Sequence, residues 1–251
     1  MMGKLRRVGS WVGTSLPSWL SPFTPLLSCL FPPHLVPRSS LSQAIRDKVK
    51  VYWLKQPVPD EDYFSLVAPT AGDTALVVGG GYGYCALHCI KKVGKKGKLI
   101  VVEPNPRCVS FLRRLFAGKR NVVLIQKAIM NRKGEMYFSG GDNLSAFCEG
   151  GRRVKVSVDT LDHICLKLGI KEVDYMAMDV EGAEIEALKG GRKILRRTKK
   201  IVVGAYHLRG GKPTWPWVER YLRRLGFRTK VTEDGVVHAW RSTTREKEAE
   251  G

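Results

Sequence analysis

The sequence predicts an α/β fold: a mostly parallel sheet with helices on both faces and an antiparallel hairpin at its C-terminal end. Three observations predict it. From Thr74 onward, short apolar runs alternate with amphipathic stretches of helical period, the order that builds a parallel sheet. A glycine-rich turn, Gly79-Gly80-Gly81-Tyr82-Gly83, separates the first such run from the first helix. Near the end, Phe227–Val231 and Val236–Trp240 flank Glu233-Asp234-Gly235, the pattern of a hairpin.

The elements follow in order. Ser40–Leu54 carries Leu41, Ala44, Ile45, Val49 and Tyr52 at helical spacing, with Ser42 as a cap, and reads as an entry helix closed by Pro57 and Pro59. Thr74–Val78 is the first strand, Tyr84–Lys92 a helix, and Lys98–Glu103 a second strand ending on an acid. Pro104–Arg120 is expected as a proline-started helix and Val122–Lys127 as a third strand. Glu135–Phe138 and Arg153–Val158 read as strands of a hairpin around the polar loop Ser139–Gly151, and Leu161–Leu168 as a helix. Val173–Asp179 is a buried strand that delivers Asp179 at its carboxyl end. Gly182 then allows a turn, and Ala183, Ile185, Ala187 and Leu188 form the apolar stripe of a helix. Lys200–Tyr206 is a further strand and Trp215–Leu225 a helix before the closing hairpin.

A chain of 251 residues, 43% hydrophobic, holds enough apolar material for one large domain plus extensions. The expected division is a basic and apolar, proline-rich tail over 1–40, a helical extension over 41–72, the α/β domain over 73–241 and a charged tail over 242–251. The formal charge of +20 gathers in Lys91–Lys98, Arg113–Arg120, Arg192–Lys200 and Arg220–Arg224. Such an excess attracts nucleic acid, anionic lipid or phosphorylated substrates. The runs also fall at predicted helix ends, where cations suit the negative terminus, and no aromatic residues are interleaved with them as a stacking platform. Nucleic acid is therefore a possible partner and not the favoured one.

Six cysteines show no CxxC pair and no zinc-site spacing, so a reducing cytoplasm is the expected setting. Cys85 and Cys89, one helical turn apart, read as small core residues. The N-terminal tail is distinct: after the basic Met1–Arg7, no Asp, Glu, Lys or Arg occurs from Val8 to Pro37. That outline fits a signal peptide or anchor, but Pro17, Pro22, Pro25, Pro32 and Pro33 oppose a spanning helix. Three readings stay open. Trp11, Trp19, Phe23, Leu26, Leu27 and Phe31 rest on a membrane surface, they pack along the domain, or translation starts at a later codon such as Met2. A poorly ordered or peripherally packed tail is the expectation.

Two constellations carry chemistry. Glycines at the Gly79–Gly83 turn let a backbone approach a ligand closely, and the following helix offers its N-terminal N–H groups. Glu103 ends the second strand twenty residues after Gly83, where an acid binds both hydroxyls of a ribose. The plainer alternative is that Glu103 caps the helix begun at Pro104. Together the turn and the acid point to a nucleoside-containing cofactor. The GxGxxG dinucleotide spacing is not met, which favours S-adenosylmethionine over NAD. The second constellation is Asp179 and Glu181 at a strand-to-helix junction, the sheet edge where open α/β folds bind ligands. Capping of the helix by Asp179, with Glu181 and Glu184 complementing its positive end, is the structural alternative. Binding of a divalent cation by the pair is another, lacking an evident third acidic ligand.

VVEPNP (Val101–Pro106), VSVDTLD ending at Asp162 and MDVEGAEIEALKG (Met178–Gly190) together resemble the FkbM family of S-adenosylmethionine-dependent methyltransferases, over roughly Thr74 to His207. The resemblance implies a class I methyltransferase (Rossmann-like) fold and methyl transfer, usually to an oxygen of a sugar, polyketide or similar molecule. It implies Gly79 and Gly83 as matches to the cofactor loop, Glu103 as the ribose-binding acid, and Asp179 and Glu181 as the signature carboxylates; Gly80, Gly81, Pro104 and Asn105 beside them are further cofactor-binding candidates. The chain departs from the family at Val77, where an Asp that orients the methionine part is common, and at Gly80-Gly81, where Ala-Asn is common. It also has Ala205-Tyr206-His207 where Glu often stands two residues before His.

The expected protein is thus an O-methyltransferase for a small-molecule, sugar or lipid-linked acceptor, using S-adenosylmethionine. The sulfonium methyl is already activated, so the chain need only align the acceptor and take up or direct a proton, with His207, Asp179 and Glu181 as candidates. Ser145 and Asn143 are candidate contacts in the polar loop. An RNA methyltransferase, suggested by the charge, and a non-catalytic protein of the same fold, suggested by Val77, are the alternatives.

Overall fold

A computed structural model describes residues 64, 66–138 and 154–241. The expected entry helix at 40–54, the tails, and the loop holding Asn143 and Ser145 lie outside these residues.

The main sheet has seven strands. In chain order they are β1 (Thr74–Val78), β2 (Lys98–Val102), β3 (Val122–Ile125), β7 (Val173–Met178), β8 (Thr198–Gly204), β11 (Arg228–Val231) and β12 (Val236–Trp240). Their spatial order is β11-β12-β8-β7-β1-β2-β3. Only β12 opposes its neighbours, pairing antiparallel with both β8 and β11. The closing hairpin is as expected in pairing, but its second strand inserts between β8 and β11 rather than extending the edge. The architecture is the class I methyltransferase fold.

Period-two side-chain alternation explains why both faces are covered. Leu76, Val78, Ile100, Val102, Met176, Met178, Ile201 and Val203 point to one face. They pack on α3 (Leu161–Lys167), α4 (Glu184–Lys189), α5 (Arg192–Leu195) and α6 (Trp215–Arg224). Ala75, Val77, Leu99, Val101, Tyr175, Ala177 and Val202 point to the other, against α1 (Tyr84–Val93) and α2 (Pro106–Leu115). Each fully buried Leu or Met contributes about 1.5–3 kcal/mol relative to exposure. An exposed pair such as Lys199–Asp174, 2.6 Å apart, belongs to a class worth about 0–1 kcal/mol. Core burial therefore sets the strand register. Val77, where the family commonly has Asp, is part of that core.

Three elements differ from expectation. The helix predicted over Pro104–Arg120 is confined to Pro106–Leu115. A residue preceding proline is pushed out of the helical region, and Asn105 is accordingly extended, with φ −71° and ψ 117°. Pro106 then suits the first helical position. Past Phe116 the chain leaves the helix, and Gly118 adopts a left-handed conformation. The strands β5 (Gly134–Phe138) and β6 (Val154–Asp159) pair antiparallel as expected, but β6 also pairs with a short β4 (Ala128–Ile129), forming a separate three-stranded sheet. After β8, β9 (Leu208–Arg209) and β10 (Lys212–Pro213) form a small hairpin through Gly210-Gly211 that the sequence reading leaves as loop.

The topology reverses at β1. The chain proceeds outward through β2 and β3 on one side of β1, and β7 joins its other side. Ligands of open α/β sheets bind in the crevice outside such a reversal. The register Val78↔Met178 sets Gly79 opposite Asp179 there.

Candidate active site

The glycine turn is a packed wedge. Gly79, at φ +85°, lies so close to the Asp179 backbone that a Cβ would stand 1.7 Å from the carbonyl oxygen. The N–H groups of Gly79 and Gly80 both donate to Val102 O, at 2.9 and 3.2 Å. Gly83 N–H donates to Gly80 O at 2.8 Å, and Gly81 N–H donates to Glu103 Oε2 at 2.7 Å. These four donors are thus satisfied within the chain. The turn's contribution to a ligand is close backbone approach, and the N–H groups expected to face a ligand are those that open the following helix.

Glu103 is buried, and its second oxygen accepts the Asn105 N–H at 2.8 Å. Burial raises its pKa, partly offset by the N–H groups of Asn105 and Gly81. A carboxylate has about four lone-pair sites, so two bonds leave acceptor capacity on both oxygens. Among the described residues, nothing beyond its own chain neighbours lies within 4 Å of where a Gly81 Cβ would be, so the Gly81 backbone that bonds this carboxylate borders open space. Glu103 does not cap the helix directly. Asn105 does, its Oδ1 accepting the Arg107 N–H at 2.9 Å, so the carbonyl end of that predicted cofactor contact is already engaged. Pro104, between them, has no N–H to offer.

Asp179, Glu181 and His207 converge beyond the carboxyl ends of β7 and β8, on one side of the reversal. His207 Nε2 lies 3.6 Å from Asp179 Oδ1 and 3.2 Å from Glu181 Oε2, and its Nδ1 lies 2.9 Å from Glu184 Oε1. Glu181 is the one non-glycine residue with positive φ, 53°, among the described residues, and it begins the turn that Gly182 completes. Asp179 Oδ2 accepts the Tyr206 hydroxyl at 2.7 Å. Its Oδ1 is buried and accepts no hydrogen bond.

Three site residues escape the sequence reading. Glu184, expected to complement the helix N-terminus, is fully buried, while Ile185 of the predicted stripe is half-buried. Glu184 Oε1 accepts Gly182 N–H at 2.9 Å and its Oε2 accepts the Thr214 hydroxyl at 3.1 Å. Thr214 and Tyr206 are the others. The signal for Tyr206 is its place beside His207 in Ala205-Tyr206-His207. Glu184 and Thr214 are thirty residues apart, and no local pattern announces their contact.

The electrostatics follow from this packing. Burial pushes the Asp179 carboxyl up, opposed by the Tyr206 hydroxyl and His207. Burial also pushes Glu184 up, but the His207 contact and the Gly182 N–H outweigh it and hold the carboxyl below its usual range. Burial lowers His207, yet the contacts to Glu181 and Glu184 and the charge of Asp179 raise it to about 10. A ring so held carries its proton at neutral pH. Burial and the Asp179 charge raise the Tyr206 phenol.

A glycine wedge and a ribose-type acid on one side of the reversal, with a carboxylate–imidazole cluster on the other, match the sequence resemblance. Residues 71–229 match the model described as the methyltransferase FkbM domain, and the chain belongs to that family of S-adenosylmethionine-dependent methyltransferases. It is 28% identical over 127 residues to the 2-O-methyltransferase NoeI of Sinorhizobium fredii (strain NBRC 101917 / NGR234), a match covering 42% of this chain and 52% of NoeI. The chain thus spans about half the length of that curated relative. Among solved structures, fibrillarin from Aeropyrum pernix, with natively bound S-adenosyl-L-methionine, is 15% identical with a TM-score of 0.45, the match covering 70% of each chain. A SAM-dependent methyltransferase from Aquifex aeolicus is 17% identical with a TM-score of 0.43, covering 76% of this chain and 95% of that one. No helix of the described residues is long and apolar enough to cross a membrane.

The site fits the family's cofactor. The open space at Gly81, beside a buried carboxylate with spare acceptor capacity, suits ribose hydroxyls, and the Gly79–Asp179 contact sets the acid cluster directly against the cofactor turn.

Proposed function

We propose that the protein is an O-methyltransferase that transfers the methyl group of S-adenosylmethionine to a hydroxyl of a small-molecule, sugar or lipid-linked acceptor. The observation that carries this reading is the Gly79–Asp179 contact, which joins the ribose-type site at Glu103 to the Asp179–Glu181–His207 cluster. When bound, the cofactor supplies a methyl already activated on a sulfonium. Glu103 holds and orients ribose hydroxyls, and the glycine turn keeps the cofactor pocket narrow. Asp179 and Glu181 orient the acceptor hydroxyl and direct its proton away, with Tyr206 fixing the Asp179 carboxylate through Oδ2.

Two facts support an oxygen acceptor of small size. The NoeI relative bears the name of a 2-O-methyltransferase. Three of the four basic runs also lie away from the site: Lys91, Lys92, Arg113, Arg114, Arg223 and Arg224 occupy the last turns of α1, α2 and α6. Helices that return from one parallel strand to the next end at the amino edge of the sheet, opposite the carboxyl edge that holds the cluster. Cytoplasmic placement is part of the same proposal.

The test is transfer of labelled methyl from S-adenosylmethionine to a panel of sugars, polyols, glycolipids and RNA. Label on a hydroxyl of a sugar, polyol or glycolipid supports the reading. Label on RNA alone overturns it in favour of an RNA methyltransferase. Label on none, from a chain that binds the cofactor, overturns it in favour of a binding protein.

A further inference from the structure

The carboxylate–imidazole cluster has the makings of a cation site. Asp179, Glu181 and His207 each offer one ligand atom, and these atoms all lie within 4.8 Å of one another. The third ligand that the carboxylate pair lacks in sequence is an imidazole brought from the end of β8.

Two further observations point to a ligand. Asp179 Oδ1 is a buried carboxylate oxygen that accepts no hydrogen bond, with the nearest imidazole nitrogen at 3.6 Å. A buried carboxylate oxygen without a hydrogen bond is costly, and a cation would satisfy it. The His207 side chain is only 9% exposed, with Nε2 between the two carboxylates and Nδ1 2.9 Å from Glu184 Oε1, an ion-pair contact that lacks hydrogen-bond alignment. A carboxylate on one ring nitrogen that directs the other is the usual support of a metal-ligating histidine. Glu184 is itself anchored by Gly182 N–H and the Thr214 hydroxyl. Among the described residues, no lysine or arginine ion pair reaches these three acids, in a chain whose formal charge is +20.

We propose that Asp179, Glu181 and His207 bind one divalent cation, with Glu184 positioning the imidazole and with coordination positions left for acceptor oxygens. Two carboxylates and one imidazole suit Mn²⁺, since carboxylate ligands favour Mg²⁺ and Mn²⁺ and imidazole favours the first-row metals. Three protein ligands are fewer than Mn²⁺ takes up, and the ion displaces the proton that His207 Nε2 otherwise holds between the carboxylates. The open positions fit two neighbouring oxygens, such as the vicinal hydroxyls of a sugar, and a coordinated hydroxyl is made more acidic. The metal site stands on its own geometry, and its use for the acceptor rests on the methyl-transfer reading above.

The test is titration of the chelator-treated full chain with MnCl₂, followed by the electron paramagnetic resonance signal of free Mn²⁺. One Mn²⁺ per chain is expected. Glu181→Gln, at a partly exposed position, should weaken binding at least tenfold while the circular dichroism spectrum is unchanged, and Glu184→Gln should weaken it about 10–100-fold as a ligand-orienting residue. Absence of Mn²⁺, Mg²⁺ and Zn²⁺ binding at millimolar concentration overturns the proposal, as does Mn²⁺ binding that Glu181→Gln leaves unchanged. Calorimetry with S-adenosylmethionine on the same metal-free sample separates the two readings. Cofactor binding without metal binding overturns the metal site alone, and loss of cofactor binding overturns the proposed function.

Discussion

Gly79 and Asp179 touch backbone to backbone, so closely that a single methyl group at position 79 would stand 1.7 Å from the Asp179 carbonyl oxygen. This contact fixes the distance between the cofactor turn and the acid cluster, because neither strand end can move without breaking a ladder bond. Asp179 N–H donates to Val78 O at 2.9 Å, and Gly79 N–H to Val102 O at the same distance. Gly79→Ala combines this clash with a φ of +85° that alanine resists. Overpacking costs about 1–3 kcal/mol and a non-glycine residue at such an angle about 1–3 kcal/mol more. Denaturant unfolding should therefore show a loss of several kcal/mol, and a variant as stable as the parent would contradict the contact.

Glu103 should make cofactor affinity dependent on pH. Burial raises its pKa, so the folded, cofactor-free chain takes up this proton at a higher pH than an exposed glutamate does. Only the carboxylate accepts from both ribose hydroxyls. Affinity for S-adenosylmethionine is then full above the raised pKa and falls as pH drops through it. Fluorescence titrations between neutral and mildly acidic pH measure this. Glu103→Gln should bind more weakly, with this dependence removed.

Glu184 should matter to stability as well as to the site. It is fully buried and meets Gly182, Thr214 and His207. Removing one partner of a buried ion pair costs about 3–5 kcal/mol, because the remaining charge loses its counterpart. Glu184→Ala should lower stability by that order in chemical denaturation. A loss under about 1 kcal/mol, the range of exposed pairs, would show that the residue is not buried as described.

Tyr206→Phe should separate site geometry from folding. The hydroxyl bonds Asp179 Oδ2 at 2.7 Å, yet the residue is 44% exposed. Bonds to a charged group are worth about 1.5–3 kcal/mol, or roughly tenfold to a hundredfold in rate where the carboxylate must be held for reaction. Methyl transfer should fall by that factor in kcat, while the melting temperature stays within a few degrees. Unchanged kcat would remove Tyr206 from the positioning of Asp179.

The sequence carries the parallel core because its signals are local. Strands such as Leu99–Val102 are continuously apolar, the glycines cluster at one turn, and Glu103 ends its strand. Asp179 and Glu181 stand out for the same reason. What local pattern misses is set by neighbours distant in sequence. Glu184 turns inward because His207 and Thr214 meet it from the far side of β8, and the apolar stripe drawn through Ile185 rotates accordingly. Tyr206 acquires a role only through Asp179, twenty-seven residues earlier. The helix start at Pro106 rather than Pro104 was readable, since the second proline forces Asn105 out of the helix.

The central claim is that the Gly79–Gly83 turn and Glu103 hold S-adenosylmethionine against the Asp179 cluster. Isothermal calorimetry of the full chain with S-adenosylmethionine, beside folded Glu103→Ala, tests it most directly. The account predicts one cofactor per chain for the parent and at least a tenfold weaker affinity for the variant. No binding to the parent, or equal binding by both, would contradict it.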